Sequence, residues 1–470
     1  MMSDTSRKEG DPIDVPDLLN VGAIPSNYAA EIDTDILEPV VHTDSFVRYQ
    51  LVNKGFLNPY SRITFGLTYD KTANPNERSF LPLGVGVNSL VRRATLKIGN
   101  KTICEVDDFN HFQAYRSLFI SNEAQKEREQ YLSGRTISHR QTIDSDTGEK
   151  GLRSKFIEID NGKEYLEVNG VDSNLLLRDE VLMTNQPVFS ITLEELFPLF
   201  HGAQFPLYVL NQDMPVQIEL TMSDPTARVC VNASDTAGVS YTLDRNQSRM
   251  IADYTTYDGN VMEAWARKNS QLMFSYMDYR LTRQTIDVDT GSDVNQGIDN
   301  IRNVGGAGRL VSKIFVGTSA NDQTGTSLLN VYDSEAPAIT GTTFNELTAN
   351  VKKNDTFIYP IDRKNISLHY QAIVDTEKLP PFVSRDEYSR QGNIISTLAR
   401  VEQNLQPINL RGRFFWTCYK LPDAARVNSR GIELSTSQQL PDTTTYTTRA
   451  WIEIVKSFVM DNGSADCYYA

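Results

Sequence analysis

The sequence predicts an all-β protein built from two consecutive β-sandwiches. Segments in which apolar and polar residues alternate are frequent, whereas stretches with a helical pattern are few and short. Such alternation is typical of strands with one buried and one solvated face, as in antiparallel sandwiches rather than parallel α/β sheets. The chain has 470 residues, of which 40% are hydrophobic. At roughly 150 residues per domain, this length favours two or three domains with separate cores.

The clearest alternation lies in three segments, 63–69, 216–222 and 366–372. In each of them the apolar side chains recur at every second position. This period places the apolar side chains on one face of an extended chain, so each segment is predicted to be a strand. Segments 250–257 and 272–281 are predicted to be strands as well.

A hairpin is predicted around the Gly-Asn pair at 99–100, because this pair tolerates the positive φ angles of a two-residue turn. Such a turn would place Leu96 opposite Ile103 on the core face of the hairpin. The neighbouring Thr95 and Lys97 would then face solvent. We therefore expect that Asp at position 95 or 97 changes stability by under about 0.5 kcal/mol, whereas Asp at position 96 costs several kcal/mol.

Helices are predicted at only a few places. The longest candidate covers 110–133 and is followed by Gly134, a residue suited to the position just beyond a helix end. Thr192 and Glu195 have the spacing of a capping box, in which two side chains satisfy free backbone N–H groups at a helix start. Segment 384–387 repeats this spacing.

The chain is predicted to divide near residue 258. Residues 1–35 are polar, contain three prolines and show no periodicity, so they are expected to form an N-terminal arm. The first sandwich is predicted to cover 36–258 and the second 259–470, with a short helix over 261–268 beside the boundary.

Each predicted half is large for a sandwich of eight strands, so we expect elaborated loops. Polar stretches rich in Asn, Asp, Gly and Thr cover 286–308, 317–345 and 435–447. All three exceed the length of an ordinary hairpin loop, and loops of this length are usually functional or mobile.

Composition limits the class of partner. Lys and Arg total 46 against 60 Asp and Glu, a formal net charge of −14. An acidic chain repels phosphate, so direct nucleic-acid binding is not expected. No apolar run approaches the roughly 20 residues that a transmembrane helix needs. The first residues have no apolar centre, so no secretory signal is predicted.

No pattern of reactive residues predicts chemistry. The cysteines are too far apart for a zinc site, which usually takes close pairs of thiolates. The histidines are equally scattered, and neither a phosphate loop nor a nucleophile elbow occurs. We therefore predict no catalytic residue, no metal site and no cofactor, and we do not expect an enzyme. The cysteines are Cys104, Cys230, Cys418 and Cys467.

Several segments, taken in order, resemble one viral protein family. VNSLVRRATLKIGN at 87–100 is followed by ICEVDDFN at 103–110, FSITLEELFPLF at 189–200 and a strand with a turn at 252–263. These segments resemble the double-jelly-roll major capsid proteins of the adenovirus–tectivirus lineage. Within this lineage, the segments are most similar to those of the capsid proteins of polinton-like viruses and virophages.

The resemblance implies a fold, a function and partners. It implies two consecutive eight-stranded jelly rolls with short inserted helices and long loops. It also implies a major capsid protein whose homotrimers form pseudo-hexameric capsomers that tile an icosahedral shell. The implied partners are the chain itself, a penton protein, and minor capsid or cement proteins. The implied location is the virion, after synthesis in the host cell.

Two other classes of protein fit a β-sandwich. A carbohydrate-binding sandwich would expose clustered aromatic side chains on a concave sheet, and the candidates among the tryptophans are Trp265, Trp416 and Trp451. A glycoside hydrolase on a jelly-roll scaffold would need a pair of carboxylates, which an acidic chain can supply at many positions.

Overall fold

Antiparallel sheets dominate the protein in the computed structural model, and short helices and turns connect them. Within the part of the chain that the structure describes, no helix is both long and apolar enough to cross a bilayer. The described residues are 30–70, 78–82, 85–119, 132–134, 140–143, 150–157, 163–168, 175–182, 188–201, 204–224, 230–232, 240–269, 271–288, 297–321, 332, 334, 339–340, 343–344, 348–358, 366–378, 415–421, 426–439 and 445–469.

Two sheets form the first sandwich. Sheet I contains, in spatial order, β13 (Phe189–Thr192), β5 (Arg62–Asp70), β18 (Met250–Tyr257), β4 (Phe56–Leu57) and β14 (Phe205–Pro206), with β1 (Ala30–Leu37) paired to β18 and β17 (Ser240–Asp244) paired to β5. Sheet II contains β2 (Val41–His42), β3 (Phe46–Leu51), β15 (Val216–Met222), β7 (Val91–Ile98) and β8 (Lys101–Asp107).

Two further sheets form the second sandwich. Sheet III contains β19 (Gln271–Asp287), β28 (Thr445–Asp461), β21 (Val311–Ala320) and β26 (Thr417–Lys420), with β29 (Ser464–Tyr469) paired to β28. Sheet IV contains β20 (Gly297–Gly305), β27 (Ile432–Gln439), β24 (Thr348–Lys353) and β25 (Thr356–Phe357).

Smaller elements decorate the sandwiches. A four-stranded sheet contains β12 (Leu175–Leu182), β11 (Lys163–Val168), β10 (Lys150–Ile157) and β9 (Arg140–Ile143), and short ribbons pair β16 (Cys230–Asn232) with β6 (Arg78–Phe80) and β22 (Ile339–Thr340) with β23 (Thr343–Phe344). The helices are α1 (Phe109–Phe119), α2 (Leu193–Leu196), α3 (Gly259–Lys268) and α4 (Ile366–Glu377), and 3-10 turns cover Gly86–Leu90, Pro198–Phe200 and Leu207–Val209.

Both sandwiches have the same strand order. Each has eight principal strands, which are β1, β3, β5, β7, β8, β13, β15 and β18 in the first and β19, β20, β21, β24, β25, β26, β27 and β28 in the second. In each sandwich one sheet has the order first, eighth, third, sixth, and the facing sheet has the order second, seventh, fourth, fifth. This is jelly-roll topology, so the prediction of two consecutive sandwiches is confirmed.

The predicted domain boundaries stay a prediction. The strands of sheets I and II all precede residue 258, and those of sheets III and IV all follow residue 270. Residues 30–35 of the predicted arm belong to β1, and the rest of that arm lies outside the described residues.

The predicted alternation is confirmed for strands with one solvated face. In β15, the side chains of Val216, Ile218 and Leu220 are fully buried, and those between them are half-buried. Strand β18 shows the same pattern along most of its length, and β5 shows it over residues 62–65. The period-two signal identified these strands because each has a core on one side only.

The predicted strand over 366–372 is wrong, because this segment lies within helix α4. The buried side chains are His369, Ala372 and Ile373, which have the spacing of one helix face. Leu368, which alternation would place in the core, is 51% exposed. The apolar residues at 372 and 373 are adjacent, which breaks the alternation and fits a helical period.

The predicted hairpin is confirmed in its turn and wrong in its register. Gly99 has φ +58, and Ile98 pairs with Lys101 across the two-residue turn. However, Leu96 pairs with Cys104, because Ile103 is an extra residue at a β-bulge. Leu96, Ile98 and Ile103 are all buried, as expected.

The expectation for Thr95 is also wrong. Its side chain faces away from the core of the first sandwich, yet the residue is only 8% exposed. Thr95 pairs with Glu219 on one side and with Glu105 on the other. An Asp at this position would be partly buried between two carboxylates, and like charges directly opposite each other in a sheet are destabilising.

The helix predictions are confirmed where the structure describes them. Thr192 accepts a hydrogen bond from the backbone N–H of Glu195, whose carboxylate accepts one from the backbone N–H of Thr192. Helix α1 begins as expected, and Gly134 has φ +65. Helix α3 covers the segment predicted beside the boundary. Residues 120–131 and the second capping pattern at 384–387 lie outside the described residues.

The loops within the three long polar segments are shorter than expected, because strands extend into all three segments. Strand β20 occupies residues 297–305 of the first segment and pairs along its length with β27, which enters the third. Strands β22 and β23 lie in the second segment. The polar composition reflects strands with wet faces in addition to loops.

Replacing Leu96 with Asp should unfold the first sandwich. The side chain is fully buried, and an unpaired carboxylate there should cost several kcal/mol of a typical 5–15 kcal/mol of domain stability. Lys97→Gln is the matched control, because it removes only the part-exposed ion pair with Glu219, where the nitrogen–oxygen distance is 2.6 Å. We expect the control to lose under about 1 kcal/mol. Soluble yield and thermal melting compare the variants, and a Leu96→Asp protein that melts like the parent would contradict the assigned core.

Candidate functional site

The second sandwich is attached to the first through the outer face of sheet III, a contact that we call the junction. In β28, Ala450 and Ile452 point toward sheet IV and belong to the core of the second sandwich. The residues between and beside them, Trp451 and Glu453, point the opposite way and are also buried. Both faces of this strand are therefore covered, one by its own sandwich and one by the first sandwich.

Helix α1 of the first sandwich supplies the aromatic part of the junction. The ring centroid of Phe112 lies 4.6 Å from that of Tyr279 in β19. The ring of Tyr115 stacks on that of Phe315 in β21, with centroids 4.2 Å apart and planes at 10°. Phe315 stacks in turn on Trp451, with centroids 5.4 Å apart. These rings make the core of the first sandwich continuous with the junction.

The β-bulge in β8 provides a buried polar contact. The backbone carbonyl of Ile103 accepts hydrogen bonds from Tyr276 Oη and Lys456 Nζ, both at 2.6 Å. Lys456 Nζ also lies 3.4 Å from the Asp278 carboxylate. Burial raises the pKa of the Asp278 carboxyl, although Lys456 and Arg280 act in the opposite direction. The bulge thus turns a carbonyl of the first sandwich toward an ion pair of the second.

A second buried cluster is centred on Lys313 in β21. Its ammonium lies 2.9 Å from Glu377 at the end of α4 and 3.3 Å from Glu453 in β28. The hydroxyl of Tyr115 donates a hydrogen bond of 2.5 Å to Glu377, and that of Tyr279 donates one of 2.7 Å to Glu453. Burial lowers the pKa of Lys313, but the neighbouring carboxylates outweigh it, and the pKa lies well above its ordinary value.

A third cluster joins the start of α1 to sheet III. The Asp108 carboxylate lies 2.7 Å from Arg283 and 2.8 Å from Nε of Arg449. Asp108 has φ +47, a left-handed conformation that Asp tolerates better than most residues. The indole N–H of Trp451 donates a hydrogen bond of 3.3 Å to the carbonyl of Asp107. Backbone and side chains of the 107–108 corner therefore both contact the second sandwich.

No site residue is predicted from the sequence, and the buried groups of the junction are not recognisable in it. Within the described ranges, no group of three or more His, Cys, Asp and Glu side chains is arranged to hold a metal ion. The thiols of Cys104 and Cys418 are buried, and burial raises the pKa of both. The available signal was the presence of isolated charged residues, Arg449, Glu453 and Lys456, among the apolar residues of segment 445–461.

Removing the ammonium of Lys456 should weaken the junction strongly. Lys456→Met leaves the buried Asp278 carboxylate with Arg280, 3.7 Å away, as its remaining charged partner, and loss of the closer ammonium should cost about 3 kcal/mol. The double variant with Asp278→Leu should recover much of this loss, because neither charge remains. Urea unfolding measures both. Lys101→Met is the control, since it breaks an exposed pair with Asp466 and should leave unfolding unchanged. Equal stability of the Lys456→Met variant and the parent would contradict the buried pair.

The contribution of Lys313 should depend on pH. Its folded-state pKa lies above the ordinary value of 10.5, so its stabilising contribution is fully present below pH 10.5 and is lost as pH rises through the folded-state pKa. The stability difference between the parent and Lys313→Met should therefore be constant up to pH 10.5 and shrink above it. Melting curves at several pH values test this, with Lys420→Met at an exposed position as control. A stability difference that stays constant above pH 10.5 would contradict the raised pKa of Lys313.

Comparison with known proteins supports the fold strongly. No family model matches the sequence, and no curated protein matches it. Among solved structures, a chain of the Sputnik virophage particle is 10% identical with a TM-score of 0.59, covering 100% of this chain and 95% of that one. The mavirus major capsid protein is 8% identical with a TM-score of 0.55, covering 100% and 93%. The Faustovirus major capsid protein is 7% identical with a TM-score of 0.51, covering 97% and 93%. Together with the strand order of the two sandwiches, these similarities show that the chain has the double-jelly-roll fold of viral major capsid proteins.

Proposed function

We propose that this chain is a major capsid protein that assembles into homotrimers. The observation that carries the proposal is the internal repeat: two sandwiches with the same strand order lie side by side in one chain. The solved structures with the same fold include the mavirus and Faustovirus major capsid proteins. A shell protein needs a rigid block of defined outline, and this chain contributes two similar blocks.

The junction supports a fixed angle between these two blocks. The buried carboxylate of Asp108 in the first sandwich lies 2.8 Å from Arg449 in the second, and a shifted arrangement would separate this pair at a cost of several kcal/mol. Three chains would then contribute six similar blocks to a ring. Contacts that join unlike surfaces form a closed ring when the rotation between copies is right, here after three steps. The resulting pseudo-hexameric capsomer could tile an icosahedral shell.

The remaining expectations fit this role. A net charge of −14 suits a shell that does not bind the genome directly. The partners would be neighbouring capsomers, a penton protein, and minor capsid or cement proteins, and the location would be the virion. The long loops would face outward, and the N-terminal arm would lie beneath the shell. No catalytic role is part of the proposal.

The tryptophans do not favour the carbohydrate-binding alternative. Trp416 and Trp451 are buried, and they pack against Tyr115 and Phe315 in or beside the junction. Trp265 is half-buried and packs on Phe56. None of the three rings is therefore an open platform for stacking a sugar. The glycoside hydrolase alternative has no described feature in its favour.

The purified chain should form a trimer with a hexagonal outline. Gel filtration with light scattering should give three times the chain mass of 52.9 kDa, and negative-stain microscopy should show ring-like hexagonal particles. A protein that stays monomeric at micromolar concentration would contradict the proposal. A glycan array and a sugar-release assay with the same sample test the two alternatives, and specific binding or hydrolysis without assembly would favour them.

A further inference from the structure

The start of β19, the end of β28 and strand β29 together form a three-stranded end of sheet III. One face of this end packs on the first sandwich. The ring of Phe458 in β28 lies 5.4 Å from that of Phe205 in β14. The side chains on this face that belong to the common core are Leu272, Tyr276, Phe458 and Met460.

The opposite face of the same three strands is apolar and uncovered. Met273 pairs with Val459, and Met277 pairs with Val455, so these four side chains lie on one face of the sheet. In the described part of the chain, none of the four belongs to the core of either sandwich. Met273 is 41% exposed, and the other three are half-buried. We call these four residues the bare face.

The size of the bare face suits a short segment of chain. Three strands about 4.8 Å apart, followed over five residues of about 3.3 Å each, cover roughly 250 Å². A stable contact between two folded proteins takes about 800 Å² from each partner. The bare face is therefore too small to hold a second folded copy by itself, but it matches a peptide of about five to seven residues.

The charges at the border of the bare face do not favour a lipid or nucleic-acid partner. Asp466 of β29 pairs with Val459 and lies beside the face. Its carboxylate is 2.7 Å from the ammonium of Lys101, so the two charges compensate each other. Tyr468, on the same side of β29, is 56% exposed and extends the apolar surface.

The described part of the chain begins close to the bare face. Ala30, the first residue of β1, pairs with Tyr257 at the end of β18. The ten residues of α3 then lead toward Gln271, where β19 begins. At 1.5 Å per helical residue and at most about 3.8 Å per connecting step, Ala30 lies within about 40 Å of Gln271.

The N-terminal arm is long enough to return to this face. Residues 1–29 lie outside the described residues. Leu19 and Ile13 stand 11 and 17 residues before Ala30, and extended chains of these lengths reach about 36 and 56 Å. Apolar residues gain free energy when they leave water, and most of those in the arm are clustered, at Ile13, Val15, Leu18, Leu19, Val21 and Ile24.

We propose that segment 13–19 of the N-terminal arm packs in extended form on the bare face of its own chain. Ile13 and Val15 would share one side of the extended segment, and Pro16 disfavours a helical backbone at Val15. The contact ties the start of the chain to its last two strands. It goes beyond the proposed function and does not depend on assembly, because all of its parts belong to one chain.

Oxidation of Met273 by hydrogen peroxide tests the contact in the full chain. In the double variant Leu18→Asp with Leu19→Asp, Met273 should be oxidised about fourfold faster than in the parent, because its exposed fraction would return to 41%. Thr5→Asp with Ser6→Asp is the matched control, since it adds the same two charges to the arm outside the segment. This control should oxidise like the parent.

A reference within the same molecule corrects for the dose of oxidant. Met214 is half-buried beside the turn at Gly99 and lies outside the bare face, so its oxidation rate should not change in any variant. Equal oxidation of Met273 in the parent and in the Leu18→Asp, Leu19→Asp variant would overturn the inference.

Cross-linking tests whether the arm and the face belong to the same chain. In a chain with Cys230→Ser and Cys467→Ser, the pair Leu19→Cys and Met273→Cys should be joined within one molecule by a short bismaleimide. Peptide mass mapping identifies the bond. The control replaces the second cysteine with Glu433→Cys, an exposed position on sheet IV, and should give no cross-link. A product that joins two chains on a denaturing gel would overturn the inference in favour of a second copy.

The outcomes are separate from those of the trimer experiment. If the parent forms trimers but the arm variant leaves the oxidation of Met273 unchanged, the arm lies elsewhere and the capsid role stands. If the parent stays monomeric but the cross-link forms within one chain, the arm contact stands and the proposed function fails. Protection of Met273 that appears only as protein concentration rises would show coverage by another copy and would also overturn the inference.

Discussion

Sheet III is buried on both faces, and this burial decides which polar groups of the protein need fixed partners. An antiparallel sheet usually keeps one face in water, where charged side chains need no fixed partner. Here the second face lies against the first sandwich, so Asp278, Glu453 and Lys313 must find partners inside the protein. Buried ion pairs add little net stability compared with apolar groups, but breaking one is costly. The pair between Asp108 of the first sandwich and Arg449 of the second crosses the junction at 2.8 Å. We therefore interpret the junction as a contact that selects one orientation of the two sandwiches.

Much of the fold could be predicted because many strands have one wet face. The alternation in β15 and the capping box at Thr192 depend on local sequence, and both were found. Strand β28 shows no clean alternation because both of its faces are buried, so a local pattern could not assign it. Segment 366–372 alternates by chance over seven residues, and only its continuation through Ile373 shows the helical face.

The junction itself could not be predicted from the sequence. The bulge at Ile103 exists where its carbonyl meets Tyr276 and Lys456, which lie 173 and 353 residues away in the chain. A hairpin pattern contains no information about such distant donors. Likewise, Glu453 resembles an ordinary wet-face residue until Lys313 and Tyr279 are placed beside it. The sequence does contain segments that resemble a known family. This resemblance predicted paired sandwiches but none of the contacts between them.

The position of β28 late in the chain has a consequence for synthesis on the ribosome. Lys456 is translated 353 residues after the carbonyl that it binds. At roughly 5–20 residues per second, this interval lasts about 20–70 s. Phe315, the ring partner of Tyr115, is translated 200 residues after it. The aromatic face of α1 is therefore without this partner for roughly 10–40 s, and exposed apolar surface of this kind promotes aggregation. Folding of the nascent protein therefore depends on protecting Phe112 and Tyr115 until β19 and β21 emerge, which is a task for chaperones.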